Sequence, residues 1–470
     1  MGSRRWAAIS SEYPREGGPG TADPGEAVDS GGDTAGRDER SIDSGGEPVD
    51  PGGESGGADE HWLLGYLRDQ RVHILVIVGF FIYPPIYVAL TQVPILGTGA
   101  NAFLPGVTFV ITMMYLGLFA MSFDFISGYT GYLSFGHAAF FGTGAYFVVL
   151  AANGQVPGLP ETTPFMFTML MGATLAFLVA LAIGAVSFRL TGVYFAMITL
   201  GFAQVMYELI RNWGYVSSNP REGATISGDA LSIGVPYVDS LSLAVGRLTG
   251  DNFENVLGTG IDISATMTSY YALALVVVVC YFAMQRMIHS PFGRVMIAIR
   301  ENEERAQAIG YNVFWFKMMA FATSAFFAGI AGAIFAAYYR SVTPENTFFF
   351  LKTADALIVT IVGGIGTLAG PLYGTVFHEW LDDVLSSEGY GLAPFLRDTL
   401  PEGILTLEVA GFSVVDLINS TVDGRAPLYL GIVFVLFVLF VPNGLLGTVR
   451  DRLGGPVAKR LPDHLERYRR

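Results

Sequence analysis

The sequence predicts an all-α polytopic transmembrane helical bundle, with about eight spans plus a broken or re-entrant hairpin. Three observations lead there. Hydrophobic residues make up 51% of the chain and charged residues only 14%, against roughly a quarter charged in a soluble domain. The apolar residues arrive in blocks of about twenty, the length that crosses a bilayer. One block, 354–382, is split by Gly363, Gly364, Gly366, Gly370 and Pro371 into two pieces, each too short to span alone.

The elements follow in order. Residues 1–60 carry 14 acidic against 5 basic residues, nine of the chain's net −14 charges, and almost nothing apolar. Such a segment cannot bury enough surface to offset its ordering entropy, so a disordered acidic tail is expected. It lacks the layout of a cleaved signal peptide. The transmembrane domain is expected over 61–450, with spans near 72–91, 104–126, 133–152, 165–188, 193–212, 269–289, 317–338 and 427–447. A basic tail, 451–470, follows.

Arg68, Arg71, Arg189, Arg286, Arg294, Arg300, Arg305 and Lys317 fall on one side by alternation, as do Arg450 and Arg452. The positive-inside rule makes that side cytoplasmic, with both termini in it. Both ends inside requires an even number of crossings, so 354–382 should enter and leave on the outer side. Irregular backbone at that depth survives only where protein buries it or where it lines a wet path. Gly363, Gly364 and Gly366 are therefore candidates for a translocation path. The two long loops, 213–268 and 383–426, fall outside.

The membrane part presents no basic nucleic-acid surface. The lone cysteine, Cys280, lies in an apolar run and reads as a packing residue. None of the three lysines (Lys317, Lys352, Lys459) follows a glycine, so the chain has no phosphate loop of the GxxxxGK[ST] type. It should not hydrolyse ATP itself, and no catalytic arrangement stands out.

The segment 290–310 is the most informative. Ser290 suits an N-cap, Pro291 a first helical turn and Gly310 a left-handed C-terminus. Phe292, Val295, Met296 and Ile299 share a face, while Arg300 to Arg305 is almost wholly polar. A short amphipathic helix between two spans can sit in a partner's groove and transmit its motion. Read alone, it can equally be an interfacial loop helix.

The run Arg294-Val295-Met296-Ile297-Ala298-Ile299-Arg300-Glu301-Asn302-Glu303, with Ala306, Ile309 and Gly310 beyond it, resembles the coupling-loop signature of branched-chain amino acid ABC importer permeases of the LivM type. Gly128 to Gly142, Thr343-Pro344-Glu345, Gly363 to Pro371 and Pro442-Asn443-Gly444-Leu445 are similar to further blocks of that family, in its order. The acidic tail and the long loop near 383–426 depart from it. The resemblance implies alternating access: two cytoplasmic ATPase subunits bind ATP and pull on coupling helices of this chain and of a homologous second permease subunit. An extracytoplasmic solute-binding protein delivers the small-molecule substrate. This chain would hold no cofactor. Gly293, Arg294, Ala298, Arg300, Glu301, Asn302, Ala306 and Gly310 become the ATPase-coupling residues, with Gly293 permitting close approach to the ATPase groove.

Other residues carry plainer expectations. His137 and Ser134 join the candidate path, although a helix–helix hydrogen bond suits His137 better than a proton relay. Asp124 and Asp355 sit at span ends and are expected to snorkel to the interface. Glu208 and Arg211 are spaced to pair on one helix. The urea and short-chain amide branch of the same family is the nearest competing reading. A secondary transporter would need charges deep in several spans or an inverted repeat.

Overall fold

The computed structural model describes residues 79–87, 90, 104–160, 163–226, 265–386, 408–409, 412–413, 426–441 and 444–445. The chain divides into two units, Met1–Tyr66 and Leu67–Arg470, and all described residues belong to the second. The acidic tail, the start of the first expected span, the greater part of both long loops and the basic tail lie outside the described residues.

In chain order the helices are α1 (79–87), α2 (Val107–Thr130), α3 (His137–Ala152), α4 (Phe165–Ser187), α5 (Val193–Arg211), α6 (Ala265–Ile288), α7 (Pro291–Glu301), α8 (Glu303–Ala308), α9 (Val313–Tyr339), α10 (Pro344–Thr347), α11 (Leu351–Gly363), α12 (Gly370–Ser386) and α13 (Ala426–Phe440). Two strand pairs complete the described fold. β1 (Ala224–Thr225) pairs antiparallel with β2 (Ser341–Val342), setting Ala224 opposite Val342. β3 (Glu408–Val409) pairs with β4 (Phe412–Ser413).

Among the described residues six helical stretches are long and apolar enough to cross a bilayer: Phe109–Thr130, Phe165–Ser187, Val193–Arg211, Tyr270–Ile288, Val313–Tyr339 and Pro344–Gly363. His137–Ala152 and Leu428–Phe440 are shorter apolar helices. Two expectations need correcting. The span expected from 133 is helical only from His137, because 131–136 runs outside any helix. The first half of the broken segment gains reach as well: α11 alone has 13 residues, but α10 and the turn after it extend the apolar stretch to 20.

Helices α2 and α9 form the centre, with 89% and 83% of their spans buried, against 39% and 33% for α4 and α5. Small residues bring the central backbones together. A Cβ on Gly144 of α3 would sit 2.0 Å from the carbonyl oxygen of Gly329 in α9, and one on Gly332 only 1.9 Å from that of Phe141. The outer helices turn large apolar side chains outward, among them Phe167, Leu170 and Leu178 of α4, Met197 and Val205 of α5, and Leu275 and Val279 of α6. An apolar belt around an already packed interior suits lipid as the surrounding solvent. Gly144→Val should therefore abolish accumulation of folded protein in the membrane, whereas Leu178→Val should leave it unchanged; a solubilised-protein size-exclusion profile reads both.

Candidate functional site

The segment 290–310 is two helices, not one. Ser290 caps α7 by accepting from the Gly293 backbone N–H, with Pro291 in the first turn. The backbone then opens to an extended conformation at Asn302 (φ −161°, ψ 106°), which caps α8 by accepting from Arg305 N–H at 2.8 Å. Glu303 and Glu304 follow in the first turn of α8, where carboxylates offset the helix dipole. The bend at Asn302 is thus a chain break that the sequence signalled through a polar cap followed by acids.

Gly293, Val295, Met296 and Ile299 face the protein, and Val295, Ile299, Ala306 and Val313 form a small core of their own. The opposite face presents Arg294, Ile297, Arg300, Glu301, Asn302 and Gly310 to solvent, with Ala298 half-buried. Gly293 and Ala306 are therefore packing residues. A Cβ on Gly293 would meet the Ile288 carbonyl oxygen at 2.0 Å, so its close approach serves the α6–α7 turn and not an external groove.

Lys317 departs from the expectation of a plain positive-inside charge. It is 3% exposed, and its Nζ donates to Glu303 Oε1 at 2.7 Å and to the Tyr132 hydroxyl at 2.9 Å. That hydroxyl donates in turn to Glu303 Oε2 at 2.5 Å. The triangle ties α8 to α9 and to the segment after α2. Burial raises the Glu303 carboxyl pKa, but the hydrogen bonds from Lys317 and Tyr132 and the Lys317 charge outweigh it, leaving it below the ordinary 4.5. A depressed carboxylate contributes stability that is present above its unfolded pKa and lost as pH falls through the folded one. Lys317→Met should cost about 1.5 kcal/mol, at the low end for a charged hydrogen bond because Glu303 is partly solvated. That deficit should be seen at pH 7 in a thermal melt and should shrink as pH falls below about 4.

The glycine-rich break between α11 and α12 lies against the C-terminal end of α2. Gly364 and Gly366 take φ of 118° and 79°, conformations suited to glycine. The freed backbone groups find side-chain partners: Gly366 N–H donates to Asp124 Oδ1 and Leu368 N–H to the Tyr129 hydroxyl, both at 2.9 Å. Asp124 is fully buried, which corrects the expectation that it snorkels. Gly444, from the fifth sequence block, packs on Gly364, where a Cβ on Gly444 would come within 2.5 Å of the Gly364 Cα.

Arg300 joins this break to the exposed helix pair. Its Nη1 donates to the Gly128 carbonyl oxygen at the end of α2. A Cβ on Gly366 would sit 2.8 Å from the same Nη1, and one on Gly128 would sit 2.6 Å from Gly366 N. Arg300, Gly128, Asp124 and Gly366 therefore meet at one point, from α7, α2 and the hairpin.

A second irregular stretch, 131–136, carries the chain into the bundle before α3 starts. Phe135 N–H donates to Thr199 Oγ1 at 3.2 Å, Gly136 N–H to Ser134 Oγ at 3.3 Å and Ala138 N–H to Thr353 Oγ1 at 2.8 Å. Ser134 and His137 are fully buried. His137 Nε2 lies 2.7 Å from Ser324 Oγ, and Ser324 donates its own proton to the Ser122 carbonyl oxygen at 2.5 Å. Ser324 having no second proton, Nε2–H is the donor. The rings of Phe119, Phe123, Phe140 and Phe321 surround the imidazole. His137 thus makes an interhelical hydrogen bond within packed aromatics. Glu208 and Arg211 pair at 4.0 Å on an exposed face of α5.

The family described as branched-chain amino acid transport system / permease component matches residues 106–390. The LivM high-affinity branched-chain amino acid transport system permease proteins of Escherichia coli and Salmonella typhimurium are each 31% identical over 258 residues, covering 55% of this chain and 58% of theirs. The ribose import permease protein RbsC of Haemophilus influenzae is 25% identical over 154 residues, covering 32% of this chain and 46% of its own. The alignments thus span less than two thirds of these relatives' length. No solved structure matches. These relatives are transport permease proteins, and the chain belongs to the branched-chain amino acid transport system permease component family.

Proposed function

We propose that the chain is a pore-forming permease subunit of an ABC importer for branched-chain or other aliphatic amino acids. In this reading it sits in the plasma membrane with both termini in the cytoplasm. It pairs with a homologous second permease subunit, two cytoplasmic ATPase subunits that bind the ATP, and an extracytoplasmic solute-binding protein. The chain itself carries no cofactor. The observation that carries the reading is the meeting of Arg300 with Gly128 and Gly366, which puts a helix with a solvent-exposed face in direct contact with the broken hairpin.

The chemistry of that contact suits a moving part. Helix α7 is fastened to the bundle on one face by Val295, Met296 and Ile299 and leaves Arg294, Ile297 and Glu301 free for a partner. The break is held by hydrogen bonds to the side chains of Asp124 and Tyr129, and side chains can follow a shifting backbone more readily than a continuous helix can. A pull on α7 therefore reaches the hairpin through Arg300, and nucleotide binding needs only to favour one of two packings. Helices α7 and α8 and the break move as one unit in this account.

The test is the double variant Arg294→Ala/Glu301→Ala, which leaves the buried face of α7 intact. ATP-dependent uptake should be lost and the yield of co-purified ATPase should fall, with the amount of permease in the membrane unchanged. Wild-type uptake with normal assembly would remove the coupling assignment, and uptake without ATP would favour a secondary transporter.

A further inference from the structure

Away from the Arg300 contact, α11 and α12 enclose a crevice against α2 that combines both signs of charge with an apolar wall. It is lined by Lys352 and Asp355 of α11, His378 and Glu379 of α12, and Leu116, Phe119, Ala356 and Val359. His378 and Glu379 are only 24% and 14% exposed and lie 3.3 Å apart, so they are largely removed from water. Lys352 and Asp355 are three residues apart on one helix and share a face. The ion pairs within 4 Å among the described residues are Arg211–Glu208, Lys317–Glu303 and His378–Glu379. Lys352 thus has its charge beside two carboxylates without closing a pair among those residues.

We propose that this crevice is the chain's own binding site for the zwitterionic head of an aliphatic amino acid, with Lys352 taking the carboxylate, Asp355 and Glu379 the ammonium, and Leu116, Phe119 and Val359 the side chain. The proposal rests on the amino-acid reading above and adds the site to it. Lys352 is half-buried beside an exposed Asp355 and a Glu379 already paired with His378, so it is the lysine whose unpaired charge loses hydration there. A ligand carrying a carboxylate and an ammonium on one carbon satisfies both signs at once. An uncharged amide such as urea would leave the lysine without a counter-charge. The free volume is about 20 Å³, room for about one water. An amino acid therefore enters only when α11 and α12 part, and both flank the break that Arg300 touches.

The complex reconstituted with its ATPases and binding protein tests this in two measurements. The first is ATP-driven uptake of radiolabelled L-leucine and of urea by the wild type. The second is equilibrium binding of L-leucine, leucinamide and 4-methylpentanoate to the purified permease–ATPase complex without the binding protein. Expected are leucine uptake, and binding of leucine in preference to either analogue. Lys352→Met should weaken leucine binding at least tenfold and abolish the preference for leucine over leucinamide; Lys352→Arg should keep the preference. Glu379→Gln should instead reduce discrimination against 4-methylpentanoate, a shift that a merely structural loss would not produce. Leucine uptake by a wild type that binds all three probes alike, or unchanged selectivity in both variants, would overturn the site while leaving the amino-acid reading intact. Urea uptake without leucine uptake would overturn the reading itself.

Discussion

Replacing Arg300 with alanine should uncouple ATP hydrolysis from transport. In the proposed complex, assembly and hydrolysis should persist, because Arg294, Ile297 and Glu301 remain exposed on α7. Uptake falls about tenfold, since a charge-assisted hydrogen bond near solvent contributes about 1.5 kcal/mol to whichever state it favours. The readout is the ratio of leucine imported to phosphate released in proteoliposomes. Arg300→Lys should recover only part of it, because a lysine ammonium lacks the planar, forked geometry that lets the guanidinium reach the Gly128 carbonyl beside Gly366. A normal ratio in Arg300→Ala would show that force reaches the hairpin by another route.

Gly128→Ala should have the larger effect. The added methyl carbon would fall 2.2 Å from Asp124 Oδ1 and 2.6 Å from Gly366 N, and so would drive apart the bond that holds the break. Overpacking of this kind costs about 3 kcal/mol, enough to reduce uptake by roughly a hundredfold, and should also lower the melting temperature. Gly201→Ala is the control. It lies in α5 with nothing within 4 Å of the added carbon, so uptake and melting should be unchanged.

Much of this architecture is legible in the sequence, for definite reasons. Long apolar blocks locate the spans because lipid leaves the backbone no other partner than itself. Ser290-Pro291 and the glycines of 363–370 mark where helices start and break. Other features are not legible from one strand of sequence. Asp124 reads as an end-of-span charge because its partner, Gly366, lies 242 residues away. Lys317 reads as one more positive-inside residue because its acceptors lie on α8 and after α2. Gly293 reads as a surface glycine until the Ile288 carbonyl is seen against it. The sequence likewise does not rank the helices by depth. Helices α2 and α4 are both strongly apolar, yet α2 is buried over 89% of its span and α4 over only 39%. The irregular stretch 131–136 is hidden for the converse reason, since Tyr132, Leu133 and Phe135 give it the apolar content of the helices on either side.

The claim that the helix pair and the hairpin break travel together is tested most directly by distances between spin labels. Ile297 on α7, Ile365 in the break and Leu178 on α4 are all exposed, and the single native cysteine, buried Cys280, can first be changed to alanine. In the assembled complex, trapping ATP on the ATPases should leave the 297–365 distance unchanged while the 365–178 distance shifts. A 297–365 distance that changes while 365–178 stays fixed would mean that α7 moves without the hairpin, and would contradict the account.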